Sequence, residues 1–295
     1  MLNGILIAFG AYLSFSLSDA MIKLAGGGAT VFEIAFFVTL FSLVPIILSK
    51  PRNETWRDVA TMHRPYIVHL RGISGVLGAM ASIYAFTHLP MAEAYALIFL
   101  VPFFVTLLSV LVLGERVGWM RWSAVAVGFV GVLFVVRPGF REVTPAHLAG
   151  IAVAFFAALT IILLRTLSGT ERRTTLAAIV VPYSLVLNGI LMIRGFQWPD
   201  TSLFLMLMTS GFCTGLGHLS LSVAVKHVAA NRIAPIQYSQ IIWAVVFGWF
   251  IFSEIPDAIA FAGLAIVTLS GLFTFAREEK KIGRVSQSLM LRNRL

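Results

Sequence analysis

The 295 residues are 59% hydrophobic and 12% charged, with a mean hydropathy of +0.92. A soluble domain carries about 25% charged residues, so the composition excludes a soluble enzyme or binding module. The net charge of +9 would suggest nucleic acid in a soluble protein. Here the placement of the basic residues accounts for it, and no nucleic-acid partner is expected.

Ten apolar stretches of membrane-spanning length follow one another, near residues 2–24, 31–48, 66–87, 91–113, 119–136, 146–167, 176–193, 203–225, 234–252 and 257–275. At about 20 residues each they consume roughly 200 residues, which leaves no room for a further soluble domain. No Ala-x-Ala cleavage pattern follows the first stretch, so it reads as an uncleaved helix rather than a signal peptide. Prolines at Pro90 and Pro256 mark tight turns after the third and ninth stretches, where a helix has to stop. With the N-terminus in the cytoplasm, the outer side receives only Lys23, Arg137, Arg141 and Arg194, and the other 18 of the 22 basic residues fall inside. Both termini are therefore expected in the cytoplasm. The basic segment 279–295 reads as a cytoplasmic tail that can meet anionic headgroups.

The chain repeats itself. A shift of 139 sets residues 72–117 on 211–256 without a gap, with Gly72 on Gly211, Gly78 on Gly217, Ala85 on Ala224, His88 on His227 and Glu115 on Glu254. A shift of 146 sets Gly4 on Gly150 and Ala11 on Ala157. The halves are 1–140 and 145–278. Because five is odd, two fused five-helix units enter the membrane in opposite orientations, a design that puts a transport site at their interface. The expected fold is an all-α integral membrane protein with ten transmembrane helices as two inverted five-helix repeats.

Polar residues inside spans are costly and point to function. Tyr95, Phe99, Pro102 and Thr106 share one side of the fourth span, and Tyr84 sits in the third. Thr214, His218 and Ser222 are spaced four apart in the eighth, so they share a face. Gln237 and Gln240, with Trp243 nearby, occupy the ninth. Each Ser, Thr or Tyr alone could serve helix packing. His218, Gln237 and Gln240 together suggest a cavity, since three strong polar groups are hard to leave facing lipid. The candidate substrate-binding set is Tyr84, Tyr95, Phe99, Pro102, His218, Ser222, Gln237, Gln240 and Trp243. Asp19 and Lys23, four apart, are expected to pair with each other. Glu33 and Glu93 suit helix N-termini. Glu115 and Glu254 are expected to cap the helices that follow them rather than couple protons. No buried carboxylate is expected at mid-span, and no buried Lys or Arg. The single Cys213 excludes an intramolecular disulfide. Metal-binding and hydrolase motifs are absent, and the triple glycine at 26–28 lacks the Lys and Ser/Thr of a phosphate loop. No enzyme activity, cofactor or metal is expected.

The stretch 84–94 (YAFTHLPMAEA), continuing through Pro102 to the Leu-Gly-Glu at 113–115 and then Gly128 and Gly131, resembles the drug/metabolite transporter superfamily, EamA type. Residues 224–227 (AVKH), through the Phe-Ser-Glu at 252–254 to Gly263 and Gly271, repeat it. The resemblance implies ten helices, cytoplasmic termini and a cavity lined by spans 3, 4, 8 and 9. Within the family, the aromatic lining and the scarcity of charge look most like bacterial exporters of aromatic and other hydrophobic amino acids, working in the inner membrane by alternating access. The alternatives are a family member exporting drugs or other metabolites, or a non-transporting membrane scaffold or receptor. The expected partners are a small-molecule substrate and the lipid bilayer, and the expected assembly is a monomer or a homodimer.

Reporter fusions after residue 275 and within the loop 26–29 should report opposite sides of the membrane. The same side for both contradicts the ten-span topology.

Overall fold

A computed structural model describes residues 2–49, 61–140, 142–167, 169–228 and 230–292. Lys50, Arg52, Arg57, Arg141 and Arg294 of the charge count lie outside the described residues, as do the side chains of Arg173 and of the basic tail.

The described residues form an all-helical bundle. The first half contains α1 (Leu2–Ala25), α2 (Val31–Ser49), α3 (Pro65–His88), α4 (Met91–Ile98), α5 (Val101–Leu113) and α6 (Trp119–Val136). The second contains α7 (Pro145–Leu167), α8 (Arg173–Ala178), α9 (Val180–Met192), α10 (Thr201–His227), α11 (Ala230–Ile233), a 3-10 turn (Ala234–Tyr238), α12 (Ser239–Phe252) and α13 (Ala258–Arg292). Eight helical segments are long and apolar enough to cross a membrane, and two shorter apolar ones, Val180–Gly195 and Ala258–Thr274, complete ten spans. The membrane face at the start of α1 is called proximal below, and the face at its end distal.

Two spans expected to be continuous are broken. The fourth divides into α4 and α5, and the seventh into α8 and α9. In each, the first piece ends four residues before a proline: Ile98 before Pro102 and Ala178 before Pro182. Proline has no N–H to return to that carbonyl, and its ring crowds it. The ninth span begins as α11 and a 3-10 turn around Pro235, so its irregular stretch sits opposite the break in the fourth.

The halves interlock. Gly72 and its repeat equivalent Gly211 make corresponding contacts. A Cβ on Gly72 would stand 2.8 Å from the Tyr183 ring of α9, the second span of the other half. A Cβ on Gly211 would stand 2.6 Å from the Val38 carbonyl of α2, again the second span of the other half. The third span of each half also packs on the first span of the other, α3 on α7 and α10 on α1. Ser18 of α1 bonds Ser210 (2.8 Å) and Thr214 (2.7 Å) of α10. Small residues let backbones approach, and hydroxyls then bond across helices where lipid offers no partner. Outside this group, α6 and α13 pair with each other, and a Cβ on Gly131 or Gly263 would meet the other's carbonyl at 2.8 or 2.6 Å.

The repeated Gly/Ser-Glu motif is a helix terminator. Gly114 and Ser253 adopt left-handed conformations (φ 65° and 56°), and the N–H groups of Glu115 and Glu254 return to Ser109 and Gly248 at 3.1 and 2.8 Å. Each bond spans six positions, so the left-handed residue turns the chain back onto the last turn of the helix and satisfies a terminal carbonyl. Neither carboxylate caps the helix that follows it, contrary to expectation. Asp257 caps α13 through Ala260 N–H at 2.9 Å, and the N-cap of α6 is Gly118 with no side-chain bond. Glu115 instead faces Arg165 at 3.5 Å. Glu254 pairs with Lys23 at 3.0 Å and accepts the Met91 N–H at 3.1 Å. Lys23 also donates to the Leu89 carbonyl at 2.5 Å. The expected Asp19–Lys23 pair is not formed, because Glu254 takes the lysine. Glu33 does serve its own helix: it accepts the N–H of Thr30 at 2.7 Å while its own N–H reaches Thr30 Oγ1 at 3.3 Å, a capping box.

Lys23, Leu89, Met91 and Glu254 thus form a clasp that ties α1, the α3–α4 turn and the end of α12 together at the distal face. Glu254→Gln should lower the melting temperature in detergent, because a half-buried lysine loses its partner. Glu115→Gln, at a surface pair worth about 0–1 kcal/mol, should change it little. Loss of transport at unchanged melting temperature in Glu254→Gln would instead make the clasp part of the gating machinery.

Candidate functional site

The polar centre of the bundle is a residue set aside in the sequence reading. Asp19 accepts a short hydrogen bond from the Tyr95 hydroxyl. That oxygen lies 3.1 Å from Ser16 Oγ and accepts from Gln240 Nε2 at 3.4 Å. Asp19 and Ser16 come from α1, Tyr95 from α4 and Gln240 from α12, so the cluster bridges the two halves. Tyr95, Ser16 and Gln240 are buried, whereas Asp19 keeps accessible surface although protein surrounds it. A buried carboxylate survives only where donors replace water, and the phenol supplies one.

Aromatic rings continue from this cluster. Tyr95 packs edge-on against Phe86 at 5.1 Å, and Phe99 stacks on Tyr238 at 4.7 Å with 18° between the planes. Gly271 makes room for the Tyr238 hydroxyl, since a Cβ there would collide with it. Phe99, Pro102, Thr106, Gln237 and Tyr238 line a cavity of about 310 Å³ that reaches Arg121 and Arg165 toward the proximal face. The breaks in the fourth and ninth spans face each other across it. A second cavity of about 220 Å³ lies distally, against Glu93, Gly248 and Glu254.

The sequence-derived candidates divide accordingly. Tyr95 and Gln240 meet directly at the Asp19 cluster. Phe99, Pro102 and Gln237 line the larger cavity. His218 sits edge-on to Phe15 at 5.0 Å on the α1–α10 interface and is not among the residues that line the cavity with Gln237. Ser222 bonds the Leu219 carbonyl of its own helix at 2.7 Å. Trp243 stacks on Phe247 and contacts Phe9. Tyr84 stacks on His88 at 4.2 Å near the distal face. The expectation of no intramembrane carboxylate is corrected by Asp19, and that of no intramembrane Arg by Arg71, six residues inside α3. Asp19 could have been found: Tyr12, Ser16 and Asp19 stand at i, i+4 and i+7 on one face of α1. Tyr238 was recognisable only from the fold.

Ten spans in two inverted, interlocked halves around an internal polar cluster define a multi-pass membrane transporter. The sequence matches the EamA-like transporter family twice, over residues 2–137 and 144–276. The chain belongs to that family. It is 28% identical to a pseudopaline exporter of Pseudomonas aeruginosa, covering 91% of this chain and 94% of the relative. It is 27% identical to an S-adenosylmethionine uptake transporter of Rickettsia prowazekii, covering 97% of each. A riboflavin transporter of Vibrio cholerae is 25% identical over 96% of each chain. One crystal structure, at 19% identity, superposes with a TM-score of 0.63 over 92% of this chain and 96% of that one, which speaks to the fold alone. Family and relatives are transporters, not enzymes, and a small-molecule substrate and a lipid bilayer follow as partners.

Removing the phenol hydroxyl leaves Asp19 without its donor. A hydrogen bond to a charged group contributes about 1.5–3 kcal/mol. Tyr95→Phe should therefore lower thermal stability clearly, and Ser222→Ala should not. Equal melting temperatures for Tyr95→Phe and the parent would remove the hydrogen bond from the account.

Proposed function

We propose that the protein is a secondary transporter that exports amino acids, aromatic and other hydrophobic ones foremost, by alternating access. The observation that carries this reading is the carboxylate–phenol pair of Asp19 and Tyr95 beside the stacked Phe99–Tyr238 wall. The carboxylate suits a cargo ammonium, and the rings suit an apolar or aromatic side chain, a pairing that adds roughly 0.5–1.5 kcal/mol beyond area burial. The placement of 18 of the 22 basic residues supports a proximal face on the cytoplasmic side of a bacterial inner membrane. The cavity then lies toward the cytoplasm and the clasp toward the outside, an arrangement suited to loading an export cargo. The halves 1–140 and 145–278 would rock against each other about the Asp19 cluster.

A second reading has one observation in its favour. A carboxylate inside the membrane suits organic cations in general, and one relative is named for S-adenosylmethionine uptake.

Proteoliposomes loaded with labelled tryptophan, phenylalanine, leucine and alanine separate the readings. Efflux should follow side-chain size and aromaticity, and Phe99→Ala should flatten that order at matched protein abundance. If none of the four is carried and a quaternary ammonium is, the cation reading replaces the amino-acid one.

A further inference from the structure

The cavity beside the Phe99–Tyr238 wall has a basic end. Arg121 and Arg165 are the charged residues among the described ones that line it. Helical spacing turns each of them toward the cavity. Arg121, Ala124, Val125 and Gly128 of α6 all line it, and residues at i, i+3, i+4 and i+7 share one face. Ile161 and Arg165 of α7, four apart, line it as well. The helices α6 and α7 belong to opposite halves, so the basic end lies where the halves meet. Topology accounts for basic residues on the proximal face, but not for their direction into a cavity. Arg121 also occupies the first turn of α6, where the helix dipole disfavours a cation. Deeper in the same cavity are Phe103 and Phe129, with their ring centroids 6.1 Å apart. Arg121 precedes Phe129 by eight residues, which sets it about 12 Å nearer the proximal face at 1.5 Å per residue. A cargo entering from that face therefore meets guanidinium first and aromatic surface second.

Arg165 has a carboxylate partner that a cargo can displace. Glu115 Oε1 lies 3.5 Å from Arg165 Nη1, and the two side chains are 44% and 47% exposed. The repeat equivalent of Glu115 is Glu254, which holds Lys23 at 3.0 Å with side chains 28% and 11% exposed. The distal pair is thus close and shielded, and the proximal pair long and in water. A water-exposed ion pair is weak. A guanidinium presents a planar fork of donors matched to carboxylate or phosphate. We propose that Arg165 and Arg121 form an oxyanion subsite at the proximal end of the cavity, which takes the cargo carboxylate in exchange for Glu115. The subsite rests on the transport reading above and deepens it. The cargo enters with its carboxylate on the arginines and its side chain toward Phe103 and Phe129. As it advances, Glu115 recovers Arg165 and the cargo ammonium reaches Asp19.

The test uses the full chain, in detergent and in proteoliposomes. Benzoate and benzamide share a ring and differ in charge. Each is titrated against the purified protein without added phospholipid, with melting temperature as the readout. Benzoate should stabilise the parent, and benzamide at the same concentration should not. Arg165→Gln should abolish the benzoate shift, and Arg165→Lys should keep part of it, because lysine keeps the charge and loses the fork. Arg121→Gln should raise the half-saturating benzoate concentration several-fold. Glu115→Gln should lower it several-fold, because the competing carboxylate is gone. Opposite effects from the two partners of one ion pair separate displacement from a general loss of stability, which would move both the same way. Equal shifts from benzoate and benzamide, or parental half-saturation in both Arg165→Gln and Arg121→Gln, overturn the subsite. Half-saturation in Glu115→Gln at or above the parental value overturns the exchange. Should Arg165→Gln fail to fold, unchanged benzoate titrations in both Arg165→Lys and Arg121→Gln overturn the subsite instead. A phospholipid headgroup carries the same oxyanion chemistry. If phosphatidylglycerol stabilises the parent but not Arg165→Gln, and benzoate stabilises neither, the arginines hold lipid and the cargo subsite is overturned. In liposomes the parent should prefer tryptophan to tryptamine, which lacks the carboxylate, and Arg165→Gln should erase that preference. A parent that binds benzoate but carries no amino acid overturns the transport reading and leaves the oxyanion subsite standing.

Discussion

Inside a bilayer no water completes the hydrogen bonds of a buried polar group, so each must be satisfied by protein or face a cavity. The contact between Asp19 and Tyr95 is where this constraint acts most strongly. It puts a carboxylate between α1 and α4, and Gln240 of α12 donates to the Tyr95 hydroxyl that bonds it. Spans from both halves therefore depend on one acid. A fully apolar interface could slide without penalty, whereas this one can separate only if Asp19 finds another donor. A cargo ammonium would be such a donor, which links binding to the relative position of the halves.

The rest of the architecture serves that contact. Gly72 and Gly211 draw each third span onto the second span of the other half. The serines of α1 and α10 fix the neighbouring interface. Prolines 102 and 235 interrupt the spans that cross the interface, and the irregular segments leave the space that Phe99, Gln237 and Tyr238 line. At the distal face the Lys23–Glu254 clasp joins the same elements again. The four-residue offset between Asp19 and Lys23, which suggests an intrahelical pair, instead directs one side chain inward to Tyr95 and the other to Glu254.

The ten spans, the inverted repeat and the family were legible because they rest on hydropathy, on an odd helix count and on the register shared by 72–117 and 211–256. The positions of span ends were legible for the same reason. Charges within spans were not. Asp19 and Arg71 lie six residues from helix ends, where sequence spacing cannot distinguish a flank residue from one turned inward. Local rules gave Asp19 a neighbour on its own helix, and long-range packing gave it Tyr95 instead. The Gly/Ser-Glu repeat was visible as a pattern, but its physical meaning, a left-handed residue followed by a returning N–H, needed backbone angles. His218 was grouped with Gln237 and Gln240 by polarity alone, which carries no information on the packing that sets its ring against Phe15 of α1.

The most direct measurement is cargo efflux by Asp19→Asn in proteoliposomes, with protein abundance and melting temperature measured alongside. Asparagine keeps the shape and still accepts the Tyr95 hydrogen bond, but it has no charge for an ammonium. The account predicts a folded protein of near-parental melting temperature with amino-acid efflux reduced at least about tenfold, in line with the strength of a charge-assisted hydrogen bond. Parental efflux from a folded Asp19→Asn protein would contradict it and reduce the Asp19–Tyr95 pair to a packing contact.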